Sequence, residues 1–278
     1  MEIEQHSDFG SSRSVCRRRA WSELTPADVD SVANAAVAVL QLGAMEQHGP
    51  HLPLGVDSIL TEAVIARALP KIPSDLPVLI MPMLNVTQSL EHSAFPGTLA
   101  LSTAALLAVL DDLAASLARS GIRHLVFMNG HGGNSALLEV AGRDLRARHG
   151  MAVAHCAWFG FADLSQHQTQ DALAYDMHAS RIETSAMLAV APSVVDMGKA
   201  RDFVPTSRDW PRQYPHLGLD GPPARPAWLI EDLHPDGAAG NAAAASVQQG
   251  ETMLDAAAQG FTAFLTGFAR LAPASIRQ

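Results

Sequence analysis

From Trp21 onward, short apolar runs alternate with longer amphipathic stretches, and this alternation narrows the possible folds more than any other feature. The first run, Ala35-Ala36-Val37-Ala38-Val39-Leu40, continues through Gln41-Leu42 and stops at Gly43. A run that is apolar at consecutive positions suits a strand covered on both faces. Ser58 to Leu69 reads as a helix, with Asp57 or Ser58 as its expected cap and Pro70 as its stop. Val78 to Met81 reads as a second strand between Pro77 and Pro82. Thr103 to Arg119 carries Leu106, Leu107, Leu110, Leu113 and Leu117 at helical spacing, and Ile122 to Met128 reads as a third strand. A helix over Ser135 to His149, a strand over Met151 to Trp158, and helices over Ile182 to Val190 and Gln248 to Leu271 complete the pattern. Strands alternating with helices imply βαβ units, so the expected class is α/β, with a mostly parallel sheet and helices on both faces.

With 278 residues, of which 48% are hydrophobic and 17% charged, the chain can bury a sizeable core. Its net charge of −9 argues against nucleic acid, whose phosphates need clustered Lys and Arg. The one basic run, Arg17-Arg18-Arg19, reads as a solvated segment. Cys16 and Cys156 form no disulfide framework and no CxxC spacing, so a reduced, cytoplasmic location is expected. No apolar stretch reaches the length of a membrane span, and the N-terminus lacks the apolar core of a secretory signal. Residues 1–20 read as a flexible leader and 21–278 as a single domain. The stretch Val204 to Pro226 holds six prolines and is neither helix nor strand by composition. With Trp210 and Tyr214 inside it and Trp228 just beyond, it is expected to be a lid or a subunit contact.

Polar residues cluster where strands end, and ligands of open α/β sheets bind at the carboxyl ends of strands. After the first strand come Glu46-Gln47-His48-Gly49-Pro50-His51 and then Asp57; after the third comes Asn129-Gly130-His131-Gly132-Gly133-Asn134. Carboxylate oxygen and neutral imidazole nitrogen are the usual ligands of zinc, manganese and iron(II), and a carboxylate can bridge two such ions. Glu46 and His48, two apart, point the same way in an extended segment. Glycines at 130, 132 and 133 permit positive-φ backbone or close approach of a substrate. A third segment, His178-Ala179-Ser180-Arg181-Ile182-Glu183, places a Glu on an otherwise apolar helix, where a metal, Arg181 or the helix dipole could pair with it. His131 could equally be a structural hydrogen-bonder. A Gly-rich turn after a strand can also cradle phosphate, but with neither GxxxxGK[ST] nor GxGxxG present that reading is poor. No GxSxG occurs, and Cys156 lies in a predicted buried strand, which disfavours a nucleophilic Ser or Cys enzyme.

Taken together, these segments resemble the creatininase (creatinine amidohydrolase) family over about Trp21 to Phe268. Glu46 to Leu54 with Asp57, Asn129 to Asn134, and His178-Ala179 with Glu183-Thr184-Ser185 resemble its three metal motifs, and Glu91 to Thr98 is similar to a loop at its active-site mouth. The resemblance implies a three-layer α/β/α fold, two divalent metal ions per subunit (Zn, Mn or Fe), and a homo-oligomer, commonly a hexamer. It implies Glu46, His48, Asp57, His131 and Glu183 as metal ligands, with Asp57 bridging. His178 would be the acid/base residue, and His92, Gly132 and Gly133 would line the substrate. Creatinine-hydrolysing members carry Tyr-Glu where this chain has Gly132-Gly133, so Glu183 is expected to supply the missing carboxylate. The implied activity is hydrolysis of a C–N bond in a small, cyclic amide or a formamide. Creatinine itself and peptide trimming or deformylation in cofactor biosynthesis are the alternatives, and a non-enzymatic scaffold would bind no metal.

Overall fold

The computed structural model describes residues 19–164, 174–219 and 223–272. Its centre is a four-stranded parallel sheet of β1 (Val37–Leu42), β2 (Val78–Ile80), β3 (His124–Asn129) and β4 (Ala152–Ala157), in the order β2-β1-β3-β4. β1 and β3 pair in register from Val37 against His124 to Leu42 against Asn129, so their carboxyl ends finish side by side. Every residue of both strands is buried, which explains why neither alternates in polarity.

The side-chain period of two sorts these strands onto two cores. Val37, Val39, Val126 and Met128 face one layer, formed by α2 (Val56–Ala68), α5 (Arg181–Val190) and α8 (Val247–Phe268). Ala38, Leu40, Leu42, Leu125 and Phe127 face the other, formed by α1 (Pro26–Val32), α3 (Thr103–Arg119) and α4 (Ser135–His149). The fold is therefore three-layer α/β/α. Local signals fix the helix ends. Thr25 and Asp28 form a capping box on α1, Ser102 caps α3 through Ala105 N–H, and Gly150 ends α4 in the left-handed conformation.

Most strand and helix ends differ from the sequence expectation by one or two residues, as frayed ends do. Three differences have further consequences. First, α2 begins at Val56 with Gly55 before it and no side-chain cap, so Asp57 is no cap but a buried residue of the first turn. Second, Arg19, read above as part of a solvated leader, is buried and donates to the carbonyls of Leu76 and Pro73; Cys16, Arg17 and Arg18 lie outside the described residues. Third, the proline-rich segment does form structure. A 3-10 turn at Thr206–Asp209 leads into α6 (Trp210–Gln213), with Pro211 in its first turn where no N–H is needed. Leu219 and α7 (Ile230–Leu233) form a small core with Phe95, Met177, Trp210 and Trp228, which ties this segment to the strand ends. A two-stranded antiparallel ladder, β5 (Asp202–Phe203) with β6 (Gly240–Asn241), frames it.

No helix among the described residues is long and apolar enough to cross a membrane.

Candidate metal centre

Three chain segments converge on one buried spot beyond the carboxyl ends of β1 and β3. The loop after β1 brings Glu46 and His48, both buried. The first turn of α2 brings Asp57, where the helix N-terminus favours negative charge. The loop after β3 brings His131, and Asn129 shapes that loop: its Nδ2 donates to His131 O (2.6 Å) and its Oδ1 accepts from His131 N–H (3.3 Å) and Asn134 Nδ2 (3.1 Å). The third segment brings His178, bridged to Ala239 through backbone hydrogen bonds, and Glu183 in the first turn of α5. Glu183 Oε2 accepts from the N–H of Ala179, a left-handed residue with φ of 50° (2.6 Å).

The ligand-type atoms fall into three groups, each with its members within 4.8 Å of one another: Glu46 with Asp57 and His131, His48 with Asp57 and Glu183, and Glu46 with His48 and His178. His131 Nδ1 lies 3.2 Å from Glu46 Oε2 and 3.5 Å from Asp57 Oδ2. His48 Nε2 lies 3.4 Å from Asp57 Oδ1 and 4.0 Å from Glu46 Oε1. His178 Nδ1 and His92 Nε2 approach Glu46 Oε1 at 3.7 and 3.4 Å. Ser89 Oγ donates to Glu46 Oε2 over 2.5 Å.

Hydrogen bonds on the outer side of two rings decide which nitrogen is offered inward. His48 Nδ1 faces Glu46 O at 3.1 Å, and His178 Nε2 faces Gln47 O at 2.8 Å. A carbonyl only accepts, so each neutral ring carries its proton there and turns a lone pair inward. His48 Nε2, Glu46 Oε1 and Asp57 Oδ2 are buried without hydrogen-bond partners among the described residues. Buried polar atoms normally have partners, and lone pairs aimed at one spot from carboxylates and imidazoles are the donor set of a divalent ion. The residues fit such an ion.

The family profile described as creatinine amidohydrolase (creatininase) matches residues 22–265. The chain belongs to the creatininase family. It is 33% identical to the creatinine amidohydrolase of Pseudomonas putida over 82% of this chain and 88% of that protein. It is also 35% identical to the mycofactocin precursor peptide peptidase of Mycolicibacterium smegmatis, over 57% of this chain and 60% of that protein. A crystal structure of creatininase superposes with a TM-score of 0.73 at 27% identity, covering 91% of this chain and 99% of the other. Creatininase has been solved in a manganese form and, as a variant, in a zinc–zinc form, each 28% identical to this chain. This creatininase-family chain is thus a hydrolase of the amidohydrolase type.

Crowding ionisable groups out of water perturbs each of them. Burial would raise Glu46, but His131, His92 and His178 outweigh it and hold the carboxyl well below its usual range. Asp57 is raised by burial and by Glu46. Glu183 is raised to about 7 by burial against the pull of His48, with Asp57 adding to the rise. Burial opposes charge on His48, yet Asp57, Glu183 and Glu46 lift it to about 9, and His131 is raised well above its usual value by Glu46, Glu91 and Asp57. Burial drives His92 down to about 4 and His178 well below its usual range. The carboxylates draw positive charge towards themselves.

The centre forms the floor of a cavity of about 380 Å3 whose walls include Trp158, Phe159, Met177, Leu219 and Trp228. Every residue singled out from the sequence meets here: Glu46, Asp57, His131, His178, Glu183, His92, Gly132 and Gly133 line the cavity, and His48 lies beneath. One expectation about detail is corrected. None of Gly130, Gly132 and Gly133 has positive φ, so their value is close approach rather than handedness. Glu183 groups with His48 and Asp57, while His131 has Glu46 and Asp57 near Nδ1 and Glu91 near Nε2. Sequence reasoning also missed Gln47. Its Oε1 accepts from Gly49 N–H, which fixes the amide so that Nε2 lies 2.8 Å from both His92 Nδ1 and Gly237 O. Gln47 and Glu91 sit inside the recognised motifs, but no pattern of spacing distinguishes them from solvated neighbours.

Proposed function

We propose that this protein is a metal-dependent amidohydrolase that cleaves the C–N bond of a small amide or formamide with water activated between two divalent ions. The observation that carries this reading is that Asp57 belongs to two convergent ligand groups at once, with Glu46 and His131 on one side and His48 and Glu183 on the other. Glu46, His48, Asp57, His131 and Glu183 would hold two ions of zinc, manganese or iron(II), with Asp57 shared. Two bound ions supply an acidified water and polarise a carbonyl.

The chain's own residues do the rest. The aromatic and apolar walls exclude bulk water and strengthen every charge interaction on the floor. His178, with Nε2–H fixed on Gln47 O, has Nδ1 available to take a proton and pass it to the departing nitrogen. Burial keeps this ring neutral at rest, so a proton it takes up is readily given on. Cys156 is no rival nucleophile, since burial pushes its thiol up to about 12. Creatinine is disfavoured by Gly132-Gly133. A short peptide end is the second reading, supported by the open space around Gly132 and by the relation to a precursor-peptide peptidase. Assembly as a homo-oligomer belongs to the same reading, and mass photometry would measure it.

The test is elemental analysis of purified protein, then chelation and reloading with each metal before screening cyclic amides, formamides and short peptides. Two ions per chain and chelator-sensitive turnover are expected. Full turnover in metal-free protein would end the proposal.

A further inference from the structure

Glu91 lies outside the three convergent ligand groups, yet it touches one of their members. Its Oε1 lies 3.2 Å from His131 Nε2, while His131 Nδ1 faces Glu46 and Asp57. The pair is a close charge contact at hydrogen-bonding distance. Gln88 Nε2 donates to the other Glu91 oxygen over 3.4 Å. Room for this carboxylate exists because position 133 is glycine: a Cβ there would collide with both Glu91 Oε1 and His131 Nε2.

An imidazole that gives one nitrogen to a cation keeps its proton on the other. A partner at that second nitrogen fixes the tautomer and ring plane and raises the basicity of the first. His48 and His178 have backbone carbonyls in that place, Glu46 O and Gln47 O. Among the described residues no backbone carbonyl accepts from His131 Nε2; Glu91 stands there instead. We propose that Glu91 is the positioning residue of His131, holding Nε2–H so that Nδ1 turns its lone pair towards Glu46 and Asp57. Gly133 is then the device that admits Glu91. The inference rests on reading the site as a metal centre.

Zn2+ affinity, measured by competition with a chromophoric chelator, and the visible spectrum of the Co2+-loaded protein test it in wild type, Glu91→Ala, Glu91→Gln and Gly133→Ala. Wild type should take up two ions. Glu91→Ala should weaken one site about 10- to 100-fold and leave the other unchanged, as loss of such a partner does elsewhere. Glu91→Gln, whose amide oxygen still accepts, should fall between the two, and Gly133→Ala should resemble Glu91→Ala. The Co2+ bands of one ion should shift, and a crystal structure of the Zn2+-loaded protein should show His131 bound through Nδ1. Wild-type affinity at both sites in Glu91→Ala, equal loss at both, or binding through His131 Nε2 would each overturn the assignment of Glu91 alone. A wild-type protein that takes up no divalent ion would overturn the metal reading, and this inference with it.

Discussion

Against one face of the sheet, α3 and α4 bury only apolar residues: Leu106, Leu110, Ala114 and Leu117 from the first, Leu138, Ala141 and Leu145 from the second. Against the other face, α2 buries Asp57, Ser58 and Thr61 beside Leu60 and Val64, and α5 buries Thr184 and Ser185 beside Ile182 and Met187. Both layers cover the same strands and both are well packed. Burying polar groups is unfavourable unless each finds a partner, so a layer that buries several is organised around something other than stability. Some have structural partners: Thr184 Oγ1 is 2.9 Å from His51 Nε2, and Ser185 Oγ donates to Gln249 Oε1 over 3.3 Å. Asp57 Oδ2 and Thr61 Oγ1 have no hydrogen-bond partner among the described residues. One layer is scaffold, and the other is scaffold with the site built into its helix N-termini.

Paired substitutions test this division. The largest effect is expected from Asp57→Asn, which should lose both ions and reduce turnover to background. Retention of two ions in that variant would break the division. His178→Ala should lower kcat about 10²- to 10⁴-fold, the usual range for losing a general acid or base, with metal content unchanged. Loss of an ion from His178→Ala would make it a ligand instead, as its grouping with Glu46 and His48 allows. In the opposite layer, Leu110→Ala should destabilise the fold by about 2–5 kcal/mol, as other buried leucines do. Its metal content and turnover per folded molecule should stay at wild-type values, which denaturant melts and assays of the same samples would check.

The smallest effect expected is a dependence of melting on pH. His48 is raised from 6.5 to about 9. A raised pKa means that the folded chain holds a proton the unfolded chain has released between those values, so stability falls as pH rises from 6.5 to 9. Glu183, raised from 4.5 to about 7, acts in the same direction over a lower window. Metal-free protein should therefore melt at lower temperature at pH 9 than at pH 6.5. Metal-loaded protein should not, because bound ions replace those protons. Parallel scans of both forms showing identical slopes would mean that the polar layer does not hold the ions.

The scaffold was legible because its signals are local. Leucine spacing in 103–119 marks α3, and the unbroken apolar runs at 35–42 and 122–128 mark strands covered on both sides. The candidate ligands after β1 and β3 were legible by one further step, since strands paired in parallel deliver their following loops to one edge. Glu91, Ser89 and Gln47 were not legible as parts of the centre. Gln47 and Ser89 lie on irregular backbone and Glu91 on a single 3-10 turn, too short for any periodicity to say which way a side chain points.

The amino-acid order alone thus set the helices and strands, a mostly parallel sheet covered on both faces and the edge where chemistry gathers, because helix and strand periods are properties of neighbouring residues. Tertiary structure alone decided which carboxylate faces which imidazole. It placed Glu183 beside His48 and Asp57, let Glu91 reach His131 through the space left by Gly133, and tied His178 Nε2 to the carbonyl of Gln47. Those contacts form only once the folded backbone fixes distances of 3–4 Å that no local pattern encodes.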